Sequence, residues 1–572
     1  MLSQEDCHAI TMVPSTCASH PSYRSSRVAN QPARKSRDCP STPKGLDVAA
    51  IRERFYCQGA HITLNGQTFL DHLNQRYSVP AEGQINSFIS RRDGHLMLDD
   101  RINLNDLMSR YGAPLEIAYL PLITRQVHQM VALAEQARNT TGYTGDFYYA
   151  YATKANFAEE VVRVALQAGA HYETSASADI IIAHQLWRQG LLSADRYMFC
   201  NGSKDATYRK AMVSLREAGY ERMIPIVDDL DELDYLIRHC HAPLQIGVRV
   251  RFDIGDVDPD HPGGERFGLT HAEIDTAVQM VAGTQHSIVL YHVMVGSQME
   301  DANVWRIRLS AAVERYAELA ARVPSLRFFN FGGGMPTDAY DIGFTFDYDG
   351  FLRGIMQAMA SECALRGVPA PDLVGEFGRY TVAAHSLYLM EVGSVKSGRG
   401  GSPDWLLLNG SLMVSLPDTL IVEGQSFIVL PLDNWHQPVR PVRLAGRYTC
   451  DTDDYYPRPG QPPLMLPDAG EGMVLAFFGI GAYQQMLSGR GGAHHCLTPE
   501  MRRIVIEADG NDLIVRDVPA QQLNDIMQLL GYQQATLDLH RAGDAEPRER
   551  VTVRPLRMPI RRPTRTWRRR LA

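Results

Sequence analysis

Cysteine is sparse and unpaired in this chain: nine are scattered among 572 residues, with no C-x-x-C spacing. An odd, dispersed set argues against a disulfide framework and against a thiolate zinc site. No metal is expected, and reduced thiols in a cytoplasmic setting are the natural expectation. No apolar run is long enough to span a bilayer, and the first residues lack the apolar centre of a secretory signal. An excess of positive charge is lacking too. Against 57 Lys and Arg stand 65 Asp and Glu, and the resulting net charge of -8 offers no general attraction for nucleic acid or membrane. A G-x-G-x-x-G turn behind an early strand is also missing, which speaks against a dinucleotide fold.

What is present is an ordinary globular composition, 45% hydrophobic and 21% charged. A length of 572 residues exceeds one compact core, so two domains with tails are expected. Residues 1–44 are rich in Ser, Pro, Arg and Thr and read as a disordered tail. Residues 539–572 read as a basic tail, with eight arginines and no acid from Arg554 onward, broken by Pro555, Pro559 and Pro563.

Between these tails the pattern changes once. Strand-like runs at 147–153, 170–174, 196–200, 223–227, 244–251, 287–294, 326–331 and 372–377 alternate with amphipathic stretches such as 178–189, 206–218, 302–321 and 351–366. Eight β/α units predict a (β/α)8 barrel over 115–381, with its chemistry at the C-terminal strand ends. From 382 to 538, short runs at 386–395, 404–408, 426–430, 473–478 and 503–507 sit among Gly/Pro turns and predict a β-rich domain. Helical spacing returns at 521–530, and residues 45–114 are expected to add a strand or two and a helix near 101–111 to that domain.

Reactive residue types fall at the predicted strand ends. The aromatic run Phe147-Tyr148-Tyr149-Ala150-Tyr151 leads to Lys154, and a lysine there should be partly desolvated, which makes its neutral amine accessible for a Schiff base. Glu173 follows the second strand, Asn201 the third, Gly296-Ser297 the sixth and Gly332-Gly333-Gly334 the seventh. The eighth runs into Glu376-Phe377-Gly378-Arg379-Tyr380. Consecutive glycines let backbone N–H groups close on a phosphate, and the loops after strands seven and eight are the usual barrel phosphate site. With an isolated lysine and a buried acid, this set describes pyridoxal 5'-phosphate. Lys154 would hold the aldehyde; the glycines, Ser297 and Arg379 the phosphate; and Glu376 the ring nitrogen, kept protonated so that the ring accepts electrons. The plainer alternative for Glu376 is a salt bridge with Arg379.

On these residues the chain resembles the ornithine/diaminopimelate/arginine decarboxylases, pyridoxal-phosphate enzymes with an alanine-racemase-like barrel and a β domain. The matching motifs are Tyr151-Ala152-Thr153-Lys154-Ala155-Asn156, the triple glycine, the Glu376 segment, Cys450-Asp451-Thr452-Asp453 and Gly481-Ala482-Tyr483. The resemblance implies that Cys450 returns a proton to the product, that Asp451 (Asp453 second) meets the substrate's distal cation, and that Tyr483 binds phosphate. It also implies a homodimer, because the cysteine and the acid serve the partner subunit's site. Cys200-Asn201-Gly202-Ser203-Lys204-Asp205 and the run from Ser411 to Asp418 look most like biosynthetic arginine decarboxylases. Asp451 stands where diaminopimelate enzymes carry glutamate, and Gly410 where ornithine enzymes carry aspartate.

The expected reaction is therefore L-arginine to agmatine and CO2, of a polyamine-type pathway. Ornithine, lysine or another cationic amino acid, or a non-catalytic regulatory role, are the alternatives. Two departures stand out. The large helical insertion of such arginine enzymes finds no room between Gly334 and Glu376 or shortly after. Met294 occupies the position where the family stacks a histidine on the ring, with His292 on the same strand face two residues earlier. Either the methionine sulfur or a shifted His292 would cover the cofactor. His494 and His495 are expected on a surface loop.

Overall fold

The computed structural model describes residues 66–251, 266–422, 424–448 and 454–532. The expected tails 1–44 and 539–572 lie outside the described residues, as does the loop carrying Cys450, Asp451, Thr452 and Asp453. Eight parallel strands close into a barrel in sequence order. They are β1 (Phe147–Ala152), β2 (His171–Thr174), β3 (Met198–Cys200), β4 (Met223–Val227), β5 (Gln245–Arg249), β6 (Ser287–His292), β7 (Phe328–Asn330) and β8 (Asp372–Phe377). β8 closes the ring against β1, with Glu376 opposite Ala150 and Phe377 opposite Tyr151. Parallel strands covered on both faces carry near-continuous apolar runs, and every residue of β4 is buried accordingly. Ala150, Phe199, Ile224, Leu290, Phe328 and Val374 are among the side chains that fill the interior. The barrel is a packed core whose open end alone can host a ligand.

The surrounding helices begin on local caps. Asp205 accepts from Tyr208 N at 2.7 Å ahead of Ala206–Glu217, and Asp229 accepts from Glu232 N at 2.8 Å ahead of Leu230–His239. Pro121 opens the long helix Pro121–Thr141, and Gly142 ends it in the left-handed region at φ 66°.

The second layer is a ten-stranded sheet built mainly from chain beyond residue 385. Its centre is Ser386–Lys396, which pairs antiparallel with Asp404–Leu408, Val474–Phe478 and Leu115–Tyr119. Leu115–Tyr119 falls inside the span expected for the barrel, yet it is bonded wholly within this sheet, parallel to Arg502–Asp509 on its other side. A short strand buried on both faces, Glu116 included, fits either environment, so periodicity does not place it. Residues before it contribute a helix, Phe69–Tyr77, bonded to the carbonyls of Gln437 and Trp435, and a separate four-stranded antiparallel sheet. No helical insertion separates the layers: β8 is followed by the short helix Arg379–Val382 and then by Ser386–Lys396. Among the described residues, no helix is long and apolar enough to cross a membrane.

Candidate active site

A cavity of about 530 Å³ opens at the C-terminal end of the barrel. Lys154, His292, Ser297, Gly333, Gly334, Glu376, Arg379 and Tyr483 all line it, although they lie up to 329 positions apart in the chain. β1 delivers Lys154 on a single tight turn, Thr153–Ala155. Thr153 Oγ1 donates to Asp179 Oδ2 at 2.5 Å and lies 3.0 Å from Glu173 O, which holds that turn against β2. Asn156 Nδ2 donates to Gly481 O at 2.9 Å, and Tyr483 N donates to Ala155 O at 2.8 Å. The lysine turn and the tyrosine loop of the β domain are thereby fastened together. Tyr483 holds a positive φ of 67°, a strained backbone for a bulky residue that these contacts sustain.

Two carboxylates stand behind the lysine and differ in character. Glu376, at the end of β8, is almost fully buried. Burial opposes its charge, but His292 Nε2 at 3.5 Å, Asn201 Nδ2 at 2.9 Å and Asn330 Nδ2 at 2.7 Å outweigh that cost and hold it well below the usual carboxylate range. His292 itself is pushed down by burial. Glu376 is not paired with Arg379, so the plainer reading of that residue does not apply. Glu173 has no exposed surface, and burial raises it to about 7. Its Oε1 accepts from the same Asn201 Nδ2 at 2.9 Å, and its Oε2 has no partner.

The expectation that burial favours a neutral Lys154 is reversed. The Glu173 carboxylate outweighs desolvation and raises the ammonium above the ordinary lysine value. The side chain is open to cavity solvent although protein surrounds it on nearly every side.

The opposite end of the cavity suits an anion. Arg379 Nη1 donates to Ser297 Oγ at 3.1 Å, Nη2 to Asp418 Oδ2 at 3.0 Å, and its plane lies 4.3 Å from the centre of the Tyr483 ring. Its Nε is buried without a partner. Among the described residues, nothing bonds the backbone N–H of Gly333 or Gly334. A Cβ at Gly333 would lie 2.8 Å from Glu376 O, and one at Gly332 would lie 2.7 Å from Val293 O. Only glycine lets this loop lie so close to its neighbours, and Gly333 and Gly334 line the cavity. An orphaned guanidinium nitrogen, two unbonded amides, a lysine and a buried ionised carboxylate across the cavity fit pyridoxal phosphate.

Met294 and His292 lie at different depths. Met294 is half-buried in the cavity wall, whereas His292 is drawn down against Glu376. His494 is not on the surface as expected: it is buried, with its ring nitrogens against the carbonyls of Gly489 (2.6 Å) and Thr498 (3.3 Å), because the loop folds back on itself. His495 is exposed.

Several contributors carried little sequence signal. Asn330 is a lone amide inside Phe328-Phe329-Asn330-Phe331, a clue by contrast alone. Arg249 and Arg266 line the cavity and lie 4.6 and 4.7 Å from the centre of the same Phe267 ring. Asp418 and Gln484, joined at 3.3 Å, brace Arg379 from the β domain. With Lys154 and Arg379, these arginines make the cavity cationic, which suits a phosphate and a substrate carboxylate.

Residues 128–383 match the model of the pyridoxal-dependent decarboxylase, pyridoxal binding domain. Curated relatives include the biosynthetic arginine decarboxylase of Rhodopirellula baltica, 26% identical over 60% of this chain and 54% of that protein. That of Marinobacter nauticus is 26% identical over 51% of this chain and 50% of its own length. The chain thus spans about half the length of the curated relatives it matches. Among solved structures, the biosynthetic arginine decarboxylase of Campylobacter jejuni shares the fold with a TM-score of 0.69 and 20% identity, covering 81% of this chain and 91% of that one. The diaminopimelate decarboxylase of M. jannaschii, solved with L-lysine, gives a TM-score of 0.63 and 19% identity over 77% and 97% of the two chains. Lys154, the glycine loop and Glu376 converge on one cavity of the barrel, within the stretch that matches the pyridoxal-dependent decarboxylase, pyridoxal binding domain.

Proposed function

We propose that this protein decarboxylates a basic α-amino acid, with L-arginine giving agmatine and CO2 as the favoured reaction. The observation that carries the reading is the buried, ionised Glu376, held by two asparagine amides and a histidine in the same cavity as Lys154. When bound, pyridoxal phosphate supplies an electron sink for the pair left behind as CO2 departs. The chain does the rest. Lys154 anchors the aldehyde, while Gly332, Gly333, Gly334, Ser297, Arg379 and Tyr483 hold the phosphate. Glu376 keeps a proton on the ring nitrogen. His292 backs Glu376, Met294 covers the ring face through its sulfur, and Glu173 sets the charge of Lys154. The apolar barrel interior beneath the site excludes water from below.

Cys450 returns a proton to the product carbon in this reading, and Asp451, with Asp453 second, meets the distal cation. Both functions come from a second copy of the chain, so the working unit is a homodimer, placed in the cytoplasm and acting on a small cationic amino acid. The division near residue 382 belongs to the same proposal, with Leu115–Tyr119 assigned to the β domain. The names of the curated relatives support arginine, and Gly410 leaves no acid at its position to shorten the distal pocket.

Purified protein supplied with pyridoxal phosphate and a panel of amino acids, read by CO2 release and amine product, tests the reading. Arginine should lead in kcat/KM. Preference for ornithine, lysine or meso-diaminopimelate overturns the substrate, and no amine from any of them overturns the decarboxylase reading.

A further inference from the structure

Capturing an aldehyde requires a lone pair on Lys154 Nζ, yet the resting site holds that nitrogen protonated. The groups that act on Lys154 are Glu173, Tyr483, Glu376, Arg249 and His292, and burial makes the imidazole of His292, turned toward Glu376, a poor site for a proton. A guanidinium and a neutral phenol cannot accept a proton. Glu376 already takes two amides on one oxygen and faces His292 with the other. Glu173 differs: it is fully buried, Asn201 fixes its Oε1, and Oε2 is left without a partner. β1–β2 pairing sets Glu173 opposite Ala152, two residues before Lys154, and the Thr153 hydroxyl, bonded to Asp179 and 3.0 Å from Glu173 O, locks that register.

We propose that Glu173 is the proton acceptor for Lys154 during capture of the cofactor aldehyde, an inference that rests on the pyridoxal reading of this site. An Nζ–H bond breaks, the proton passes to Glu173 Oε2, and the electron pair left on Nζ bonds to the aldehyde carbon. The aldehyde oxygen leaves as water with the two remaining Nζ hydrogens, and the proton returns from Glu173 to the nitrogen of the new C=N bond. Among the described residues, no ion pair within 4.0 Å joins the two groups, so the proton crosses through one water or a torsional swing of the lysine. Entry of the ring displaces cavity water, and a drier site favours the neutral amine and neutral acid over the separated charges. The groups facing Glu173 are Lys154, Glu376, Asp179, Asn201, Tyr172, Tyr208 and Arg249, and of these Lys154 is the one whose proton this step moves.

The test uses the full chain freed of cofactor and mixed with pyridoxal 5'-phosphate, following visible absorbance, with borohydride trapping and intact mass as the covalent readout. Binding of pyridoxine 5'-phosphate, which lacks the aldehyde, is measured in parallel. Glu173→Gln should slow capture at pH 7 by roughly a hundredfold while pyridoxine 5'-phosphate binds as in wild type. Glu173→Ala should recover rate in proportion to added formate, a response that a purely structural role would not give. Capture by Glu173→Gln at the wild-type rate overturns the proton role. Slow capture with equally weakened pyridoxine 5'-phosphate binding and no formate rescue overturns it as well. Wild-type protein that captures no aldehyde overturns the pyridoxal reading itself, and this role with it.

Discussion

Arg503 is the clasp between the barrel and the β domain, and replacing it with methionine should loosen the whole molecule. It lies on Arg502–Asp509 with its Nε 2.9 Å from Glu116 Oε1 on Leu115–Tyr119, and Nη1 bonds Glu160 on the first barrel helix, Glu159–Gln167. All three side chains are nearly buried. Methionine fills similar volume but strands two carboxylates away from water, a change that costs about 3–5 kcal/mol where no other cation is near. Arg490 at 3.9 Å from Glu116 and Arg516 at 3.6 Å from Glu160 remain, which trims the expected loss to about 2–4 kcal/mol.

The pH dependence follows from Glu160, held at about 2 against an ordinary 4.5 because Arg503 outweighs burial. A carboxyl depressed in the folded state contributes stability above pH 4.5 that is lost as pH falls toward 2. Fully transmitted, that difference is worth about 3 kcal/mol, and screening by nearby solvent reduces it to about 2 kcal/mol. In Arg503→Met the carboxylate protonates earlier on acidification and its strain is relieved. The gap between wild type and variant should therefore narrow as pH drops from 4.5 toward 2. Urea unfolding followed by circular dichroism at pH 7 and pH 3 measures both quantities. A variant within about 0.5 kcal/mol of wild type at pH 7 would refute the reasoning, since that is the range of surface substitutions. A gap that does not narrow in acid would refute the part assigned to Glu160.

The other predictions concern the site. Lys154→Ala should abolish borohydride-trapped attachment of pyridoxal phosphate, and any retained adduct at wild-type stoichiometry excludes Lys154 as the anchor. Arg379→Lys keeps the charge but loses the contacts to both Ser297 and Asp418, so pyridoxal phosphate affinity in equilibrium dialysis should fall roughly tenfold to a hundredfold; unchanged affinity would remove Arg379 from the phosphate site. Mixing inactive Lys154→Ala with inactive Cys450→Ala subunits should restore part of the activity, because one hybrid site holds both native residues. Verified subunit exchange without recovery argues against shared sites.

The sequence by itself determined the barrel and the outline of its site. Parallel strands buried on both faces favour near-continuous apolar runs, and these, alternating with amphipathic stretches, made the eight legible, while the lone lysine, triple glycine and acid read at their ends fall at one end of the barrel. Tertiary structure alone decided the rest. Leu115–Tyr119 is buried on both faces, and only hydrogen bonding to Ser386–Lys396 and Arg502–Asp509 assigned it to the β sheet. The loop histidine His494 looked solvated until its loop closed over it. Above all, the protonation of Lys154, Glu173 and Glu376 came from distances between residues remote in sequence. One asparagine amide bridges two buried carboxylates contributed by β2 and β8, and charge states in a low-dielectric cavity depend on such neighbours rather than on residue type.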